Sequence, residues 1–226
     1  MKYIITNKQY NLLIESSEEE EKLLRIRDFS LFANNWDVLQ AYLKSKGNPR
    51  YYIDGNLDLK DSNITSLGNL VRVDGRIELA KSKIESLENL EYVEDNLILF
   101  RSNIKSLGDL KYVGGVLDVR GTSITSLGDL KYVGNRLYLS NSKIKSLGNL
   151  VRVEGELDLR YTPIGSLGNL EYVGNYLDLS YSDILSLGNL KYVGDFLDLR
   201  NTPLSKTTTE KKIRSKIDVE GNIYLS

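Results

Sequence analysis

The chain contains no cysteine and no histidine. The first absence excludes disulfide staples and thiolate metal sites. The second removes the commonest general base, the commonest metal ligand and the one side chain that ordinarily titrates near neutral pH. Long apolar runs are lacking too, so no segment reads as a membrane span. The start, MKYIITNKQY, has no apolar core of the signal-peptide type. These readings place the chain in the cytoplasm. No sign of charge dominates: 30 basic and 31 acidic residues leave a net charge of −1. No overall field therefore draws the chain to nucleic acid. Residues 1–50 carry 8 basic and 7 acidic groups, residues 51–204 carry 17 and 21, and residues 205–226 carry 5 and 3. A hydrophobic fraction of 41% suits a folded protein.

What is present is a repeat. From Leu57, the register Leu-x-Leu-x-x-Ser/Thr-x-Ile-x-Ser-Leu-Gly-Asn-Leu-x-x-Val-x-Gly-x returns every 20 residues, at Ile77, Leu97, Leu117, Leu137, Leu157, Leu177 and Leu197. A short fixed period means stacked coils, each burying its apolar side on its neighbours. Leu57-Asp58-Leu59 and its equivalents alternate apolar and polar, the signature of a strand with one buried face. Ile64, Leu67, Leu70 and Val73 continue the lining of the coil. The Ser/Thr column that follows each strand (Ser62, Ser82, Ser102, Thr122, Ser142, Thr162, Ser182, Thr202) and the Asn/Asp column from Asn69 to Asn189 read as hydrogen-bonding ladders for turning backbone. Gly, Asn and Asp after the Val column (Asp74-Gly75, Asp95-Asn96, Gly134-Asn135, Gly194-Asp195) predict a left-handed turn before each strand.

The flanks do not repeat. Residues 1–50 read as a helical N-terminal cap, with capping-box spacing at Thr6–Gln9 and Ser17–Glu20. A further helix is predicted after Asn34-Asn35. Trp36, Leu39 and Leu43 lie on one of its faces, and Gly47 and Pro49 stop it. Residues 51–204 form eight repeats. Residues 205–226 form a C-terminal cap: Thr207–Ile217 is basic and helical in pattern, and VEGNIYL restores one last strand. The basic residues Lys206, Lys211, Lys212, Arg214 and Lys216 read as a solvated helix face. The free edge of the last strand offers a pairing site for a second copy.

Segments such as LDVRGTSITSLGDLKYVGN (117–135) resemble leucine-rich repeats, in a short variant with Ser/Thr where the usual repeat has Asn. The Leu-x-x-Val-x-Gly-x-Leu-x-Leu phrasing is also similar to receptor L-domain repeats. The resemblance implies an α/β right-handed solenoid with one parallel sheet face, a helical N-terminal cap and a helix-strand C-terminal cap. The flanks are similar to caps of phage-encoded and environmental bacterial repeat proteins. That likeness implies a small protein-binding protein; if viral, it would work in the host cytoplasm.

Function is expected on the exposed face of the sheet, where equivalent residues of neighbouring coils lie about 4.8 Å apart. Ile98, Phe100 and Val116 make an apolar island. Asp118, Arg120, Arg136 and Tyr138 form the centre, and Arg160, Tyr176, Asp178, Phe196, Asp198 and Arg200 the far end. Exposed aromatics beside arginine are the usual composition of interaction hot spots. Two alternatives for the island stay open, cover by cap loops and plain cross-strand packing. Tyr176 with Phe196, and Tyr161 with Tyr181 just beyond the strand, are adjacent aromatic pairs. Asp158, Asp178 and Asp198 stack as like charges, relieved by interleaved Arg160 and Arg200. A carbohydrate-active enzyme or glycan binder using this Asp column is a rival reading. So is a self-assembling structural module. The column Arg72, Tyr92, Tyr112, Tyr132, Arg152, Tyr172, Tyr192, on the opposite side of the coil, reads as a stacking stripe. No catalytic residue, metal ligand or cofactor is expected. The protein is read as a non-enzymatic scaffold that binds a protein partner through its strand face, with no membrane or nucleic-acid partner.

Overall fold

The structure, a computed structural model, describes residues 23–225. The apolar start Tyr3–Ile5 and the capping-box pairs Thr6–Gln9 and Ser17–Glu20 lie outside the described residues. Among the described residues the chain is a parallel β-solenoid. Each 20-residue coil gives one short strand to each of two sheets. Ten strands form the first sheet: Leu24–Ile26, Tyr51–Ile53, Leu70–Val73, the Tyr-Val or Arg-Val pairs from Tyr92–Val93 to Tyr192–Val193, and Asp218–Val219. Nine form the second, from Leu57–Asp58 through the Leu-x-Leu positions to Ile223–Tyr224. Register is constant within the repeats, where Leu137 pairs with Leu117 and Leu157, and Val133 with Val113 and Val153; a bulge between Tyr51 and Tyr52 shifts it at the first coil.

The single sheet face expected from the sequence is thus corrected to two sheets. The second arises because the x-Val dipeptide alternates as the Leu-x-Leu segment does. Val93 and its equivalents are fully buried, while the preceding Tyr or Arg points outward. A third row of isolated parallel bridges (Ser86 with Ser106, Ser126 with Ser146, Ser166 with Ser186) closes the coil. Between these rows run columns of fully buried aliphatics, Leu97, Leu99, Ile104, Leu110 and Val113 in one coil. Burying such side chains, worth roughly 1.5–3 kcal/mol each, is what holds the coils together.

Turn chemistry departs from expectation in one respect. The left-handed residues do not follow the Val column. They follow the second-sheet strand, at Asp61, Lys81, Arg101, Gly121, Asn141, Tyr161, Tyr181 and Asn201, and recur in the Ser-Leu-Gly stretch, as at Gly108 (φ +57). The glycines after the Val column serve close approach instead: a Cβ on Gly114 would sit 2.0 Å from the Glu94 carbonyl oxygen. The hydroxyl ladder holds where the side chain reaches back three residues. Thr122, Thr162, Ser182 and Thr202 donate to the carbonyls of Val119, Leu159, Leu179 and Leu199 at 2.6–2.7 Å. Ser62, Ser82 and Ser102 have buried hydroxyl oxygens with no hydrogen-bond partner among the described residues. In the Asn column, Asn69 and Asn89 donate to the carbonyls of Asn48 and Gly68.

The first described element is a strand, Leu24–Ile26, rather than a helix; it extends the first sheet by pairing with Tyr51–Ile53. The helix expected after Asn34-Asn35 spans Trp36–Ser45. Asn35 caps it, its Oδ1 accepting from the backbone N–H of Asp37 and Val38. Trp36, Leu39 and Leu43 are its buried face, and Phe29 meets Trp36 edge-on at 6.3 Å. At the other end, helix Glu210–Arg214 buries Ile213 and hands the chain to Asp218–Val219 and Ile223–Tyr224, one strand for each sheet. The Arg214 guanidinium donates to the carbonyls of Val219 and Gly221.

Candidate binding face

On the second-sheet strands the leucines point inward, and the residue between them and the residues flanking them form the outer face. The expected centre assembles there. Arg120 lies over both the Phe100 ring (5.4 Å) and the Tyr138 ring (4.9 Å), and Arg101 covers Phe100 from its own coil at 5.0 Å. Phe100, Ile98 and Val116 are half-buried. The cover over Phe100 is guanidinium, supplied from within the repeats.

Beneath the arginines runs a carboxylate lattice. Asp118, Asp158 and Asp198 are not exposed contact residues; they are buried, at 5%, 3% and 2% exposure. Each accepts the backbone N–H of the residue two positions on and the fork of that residue's guanidinium. Asp158 takes Arg160 N, Nε and Nη2 at 3.1, 2.9 and 2.9 Å. Arg120 on Asp118 and Arg200 on Asp198 repeat the arrangement. Such forks are charge-assisted and geometrically specific. The bond to Asp raises the pKa of Arg120, Arg160 and Arg200 further. Asp178 differs: Ser180 donates to it through both N–H and hydroxyl, at 3.0 and 2.7 Å, and Arg160 reaches it only at 3.5 Å. Burial foremost, with the Asp198 charge adding, raises the Asp178 pKa against the pull of Ser180 and Arg160.

A second knot lies beside this lattice. Glu156 accepts from the hydroxyls of Tyr138 (3.3 Å) and Tyr176 (3.0 Å) and pairs with Arg136 at 3.1 Å. Burial, then the bond to Glu156, pushes the Tyr176 phenol up to about 12. Tyr176 stacks on Phe196 at 4.7 Å, and Tyr224 meets Phe196 edge-on at 5.9 Å while Arg200 lies over Tyr224. The face is thus one connected network from Phe100 to Tyr224. The role of Glu156 was missed from sequence because its column mixes Asn, Arg, Val, Glu and Tyr. The Asp-x-Arg clamp was legible in principle, as Asp-Val-Arg and Asp-Leu-Arg recurring every 40 residues.

The opposite stripe is a stack. Tyr92, Tyr112 and Tyr132 lie parallel at 4.6 and 5.1 Å, Arg72 covers Tyr92, and Arg152 covers Tyr172, which stacks on Tyr192. Burial is the first cause of the raised pKa of Tyr92, Tyr112 and Tyr132. Among the described residues no group of three or more acidic side chains is placed to hold a metal ion. No helix there is long and apolar enough to cross a membrane. A hollow of roughly 260 Å³, lined by Gln40, Leu43, Pro49, Tyr51 and Asn69, sits where the cap helix meets the first coil, away from the Asp column. The chain matches no protein family, and no curated protein or solved structure is similar to it.

Proposed function

We propose that the chain is a non-enzymatic, protein-binding solenoid of the leucine-rich-repeat kind. Its partner docks on the outer face of the second sheet between Phe100 and Phe196. If the protein is phage-encoded, that encounter takes place in the host cytoplasm. One observation carries the reading. Aromatic rings and guanidiniums stand half-exposed on the face while the aspartates that fix the guanidiniums are buried beneath. Groups held this way lose little rotamer entropy on docking. The carboxylates of the Asp column do not present themselves as a pair to a substrate, because Asp158 and Asp198 are each engaged by a guanidinium fork and a backbone N–H. This favours recognition over glycoside cleavage.

The test is replacement of Phe100, Tyr138 and Phe196 together by Ala, with circular dichroism to show that the repeat fold is kept. Partner capture should fall at least a hundredfold, since three hot-spot residues at roughly 1–2 kcal/mol each are removed. Capture that is unchanged on a folded variant would rule out this face.

A further inference from the structure

Tyr161 and Tyr181 differ from the other stacked aromatic pairs among the described residues. They are the most exposed tyrosines among the described residues, at 54% and 53%, and stack at 4.9 Å with 16° between their planes. Both hold left-handed backbone, φ +56 and +59. That conformation is costly for a bulky side chain. Elsewhere in the same column the position is held by Asp, Lys, Arg, Gly and Asn. The other stacks described above are closed by cations: Arg72 lies over Tyr92, Arg152 over Tyr172, Arg120 between Phe100 and Tyr138, and Arg200 over the Tyr224 ring that closes the Tyr176–Phe196 stack. Among the described residues no lysine or arginine lies over Tyr161 or Tyr181. Arg200, which interacts electrostatically with Tyr181, is committed to Asp198 and Tyr224. In the column the pair is flanked by Asn141 and Asn201, both exposed and both shorter than tyrosine.

An electron-rich ring face without the cation that closes the molecule's other stacks selects a cationic occupant. We propose that Tyr161 and Tyr181 are the docking site for an arginine side chain on a basic segment of the protein partner, the guanidinium lying flat on an outer ring face. This deepens the protein-binding reading above and rests on it. It adds a site outside the Phe100–Phe196 network and names the partner's chemistry. Arginine suits better than lysine because its planar group stacks as well as carries charge.

The experiment titrates the full chain, at about 0.15 M salt to screen diffuse attraction, with a flexible Gly-Ser peptide bearing four arginines. The matched probe has citrulline, the neutral isostere, in place of each arginine. The variant is Tyr161→Asn with Tyr181→Asn, a change the fold accommodates because Asn already occupies the same left-handed position at Asn141 and Asn201. The arginine peptide should bind, with affinity lowered roughly two- to fivefold by the double variant and by a similar factor with citrulline, the loss expected for one exposed cation–π contact. The Phe100/Tyr138/Phe196 triple-Ala protein should bind it as the parent does. That separates failure of the inference from failure of the face assignment. Three results would each overturn the proposal: no arginine-peptide binding to the parent, equal binding to the double variant, or tyrosine-dependent binding of a neutral glycan such as cellohexaose without preference for arginine.

Discussion

One column of hydroxyls tests the hydrogen-bond account with opposite signs at two positions. Thr162 and Ser82 occupy the same place in their coils and are equally buried, at 3% and 1% exposure. Thr162 Oγ1 donates to the Leu159 carbonyl at 2.6 Å, whereas the Ser82 hydroxyl has no partner among the described residues. Thr162→Val keeps the shape and removes the donor, leaving a buried carbonyl short of its bond, a cost of about 1–3 kcal/mol. The added methyl regains part of this by apolar burial, up to ~0.8 kcal/mol. A net loss of about 1–2 kcal/mol follows. Ser82→Ala removes a hydroxyl that was desolvated without return, a burden of about 1–3 kcal/mol on mutational scales. Its removal should stabilise by about 1 kcal/mol. In a chain of this length each kcal/mol moves Tm by roughly 2–4 °C. Thermal melts followed by circular dichroism should therefore show Thr162→Val falling by about 2–8 °C and Ser82→Ala rising by about 2–4 °C. If Ser82→Ala costs as much as Thr162→Val, the two hydroxyls are equivalent and the reasoning fails.

The remaining predictions concern charge and the N-terminal helix. Burial raises the Asp178 pKa above its ordinary 3.8. Its ionisation therefore opposes folding: stability is fullest below that ordinary value and declines as pH rises through the folded value. Asp178→Asn, which still accepts from Ser180, should raise Tm at neutral pH and flatten that acid-side decline; an unchanged pH profile would refute the assignment. Asn35→Ala removes the cap on Asp37 and Val38 N–H and should cost about 1 kcal/mol. Hydrogen exchange should show the loss confined to the first turn of Trp36–Ser45, and uniform loosening of the coils would contradict it.

The coil was legible because its period is fixed by burial: Leu57, Leu59, Leu67 and Val73 must all face inward, and each repeat restates the rule. The second sheet was not, because a two-residue strand such as Tyr132–Val133 gives too little alternation to tell it from a turn. Nor could the order of the turn residues be read. Asp74-Gly75 and Asn141 suit left-handed backbone equally well by type, and only the stacking of carbonyls decides which adopts it. On the face, the types in each column were readable, but depth was not. Asp118 and Asp198 looked exposed because they stand between the leucines on an outward strand position. They are buried, and the arginine two residues on turns its guanidinium back onto them. The 40-residue alternation of Arg120, Ser140, Arg160, Ser180 and Arg200 follows from the same crowding. Guanidiniums in every coil would sit about 4.8 Å apart, and a buried serine between each pair gives them room.

That buried row makes the binding mechanism testable away from the surface. Asp158 is 3% exposed and cannot offer a partner much area, yet it holds the Arg160 guanidinium by two bonds. Asp158→Ala leaves Arg160, itself half-exposed, with only its longer 3.5 Å contact to Asp178, so that the guanidinium can move in solvent. The fold should lose about 1.5–3 kcal/mol, the scale of hydrogen bonds to a charged group. A full buried-ion penalty does not apply, because the freed arginine can hydrate. If docking depends on groups fixed in advance, re-immobilising Arg160 on binding then adds about 0.5–1.5 kcal/mol, a weakening of roughly 2- to 12-fold. Measured well below the variant's Tm, that loss cannot come from unfolding. Arg160→Ala supplies the comparison. If the arginine acts through its own contact, removing it should cost more than freeing it. Affinity left intact by Asp158→Ala but reduced by Arg160→Ala would mean that the partner itself orders the face, and the lattice would then serve the fold alone.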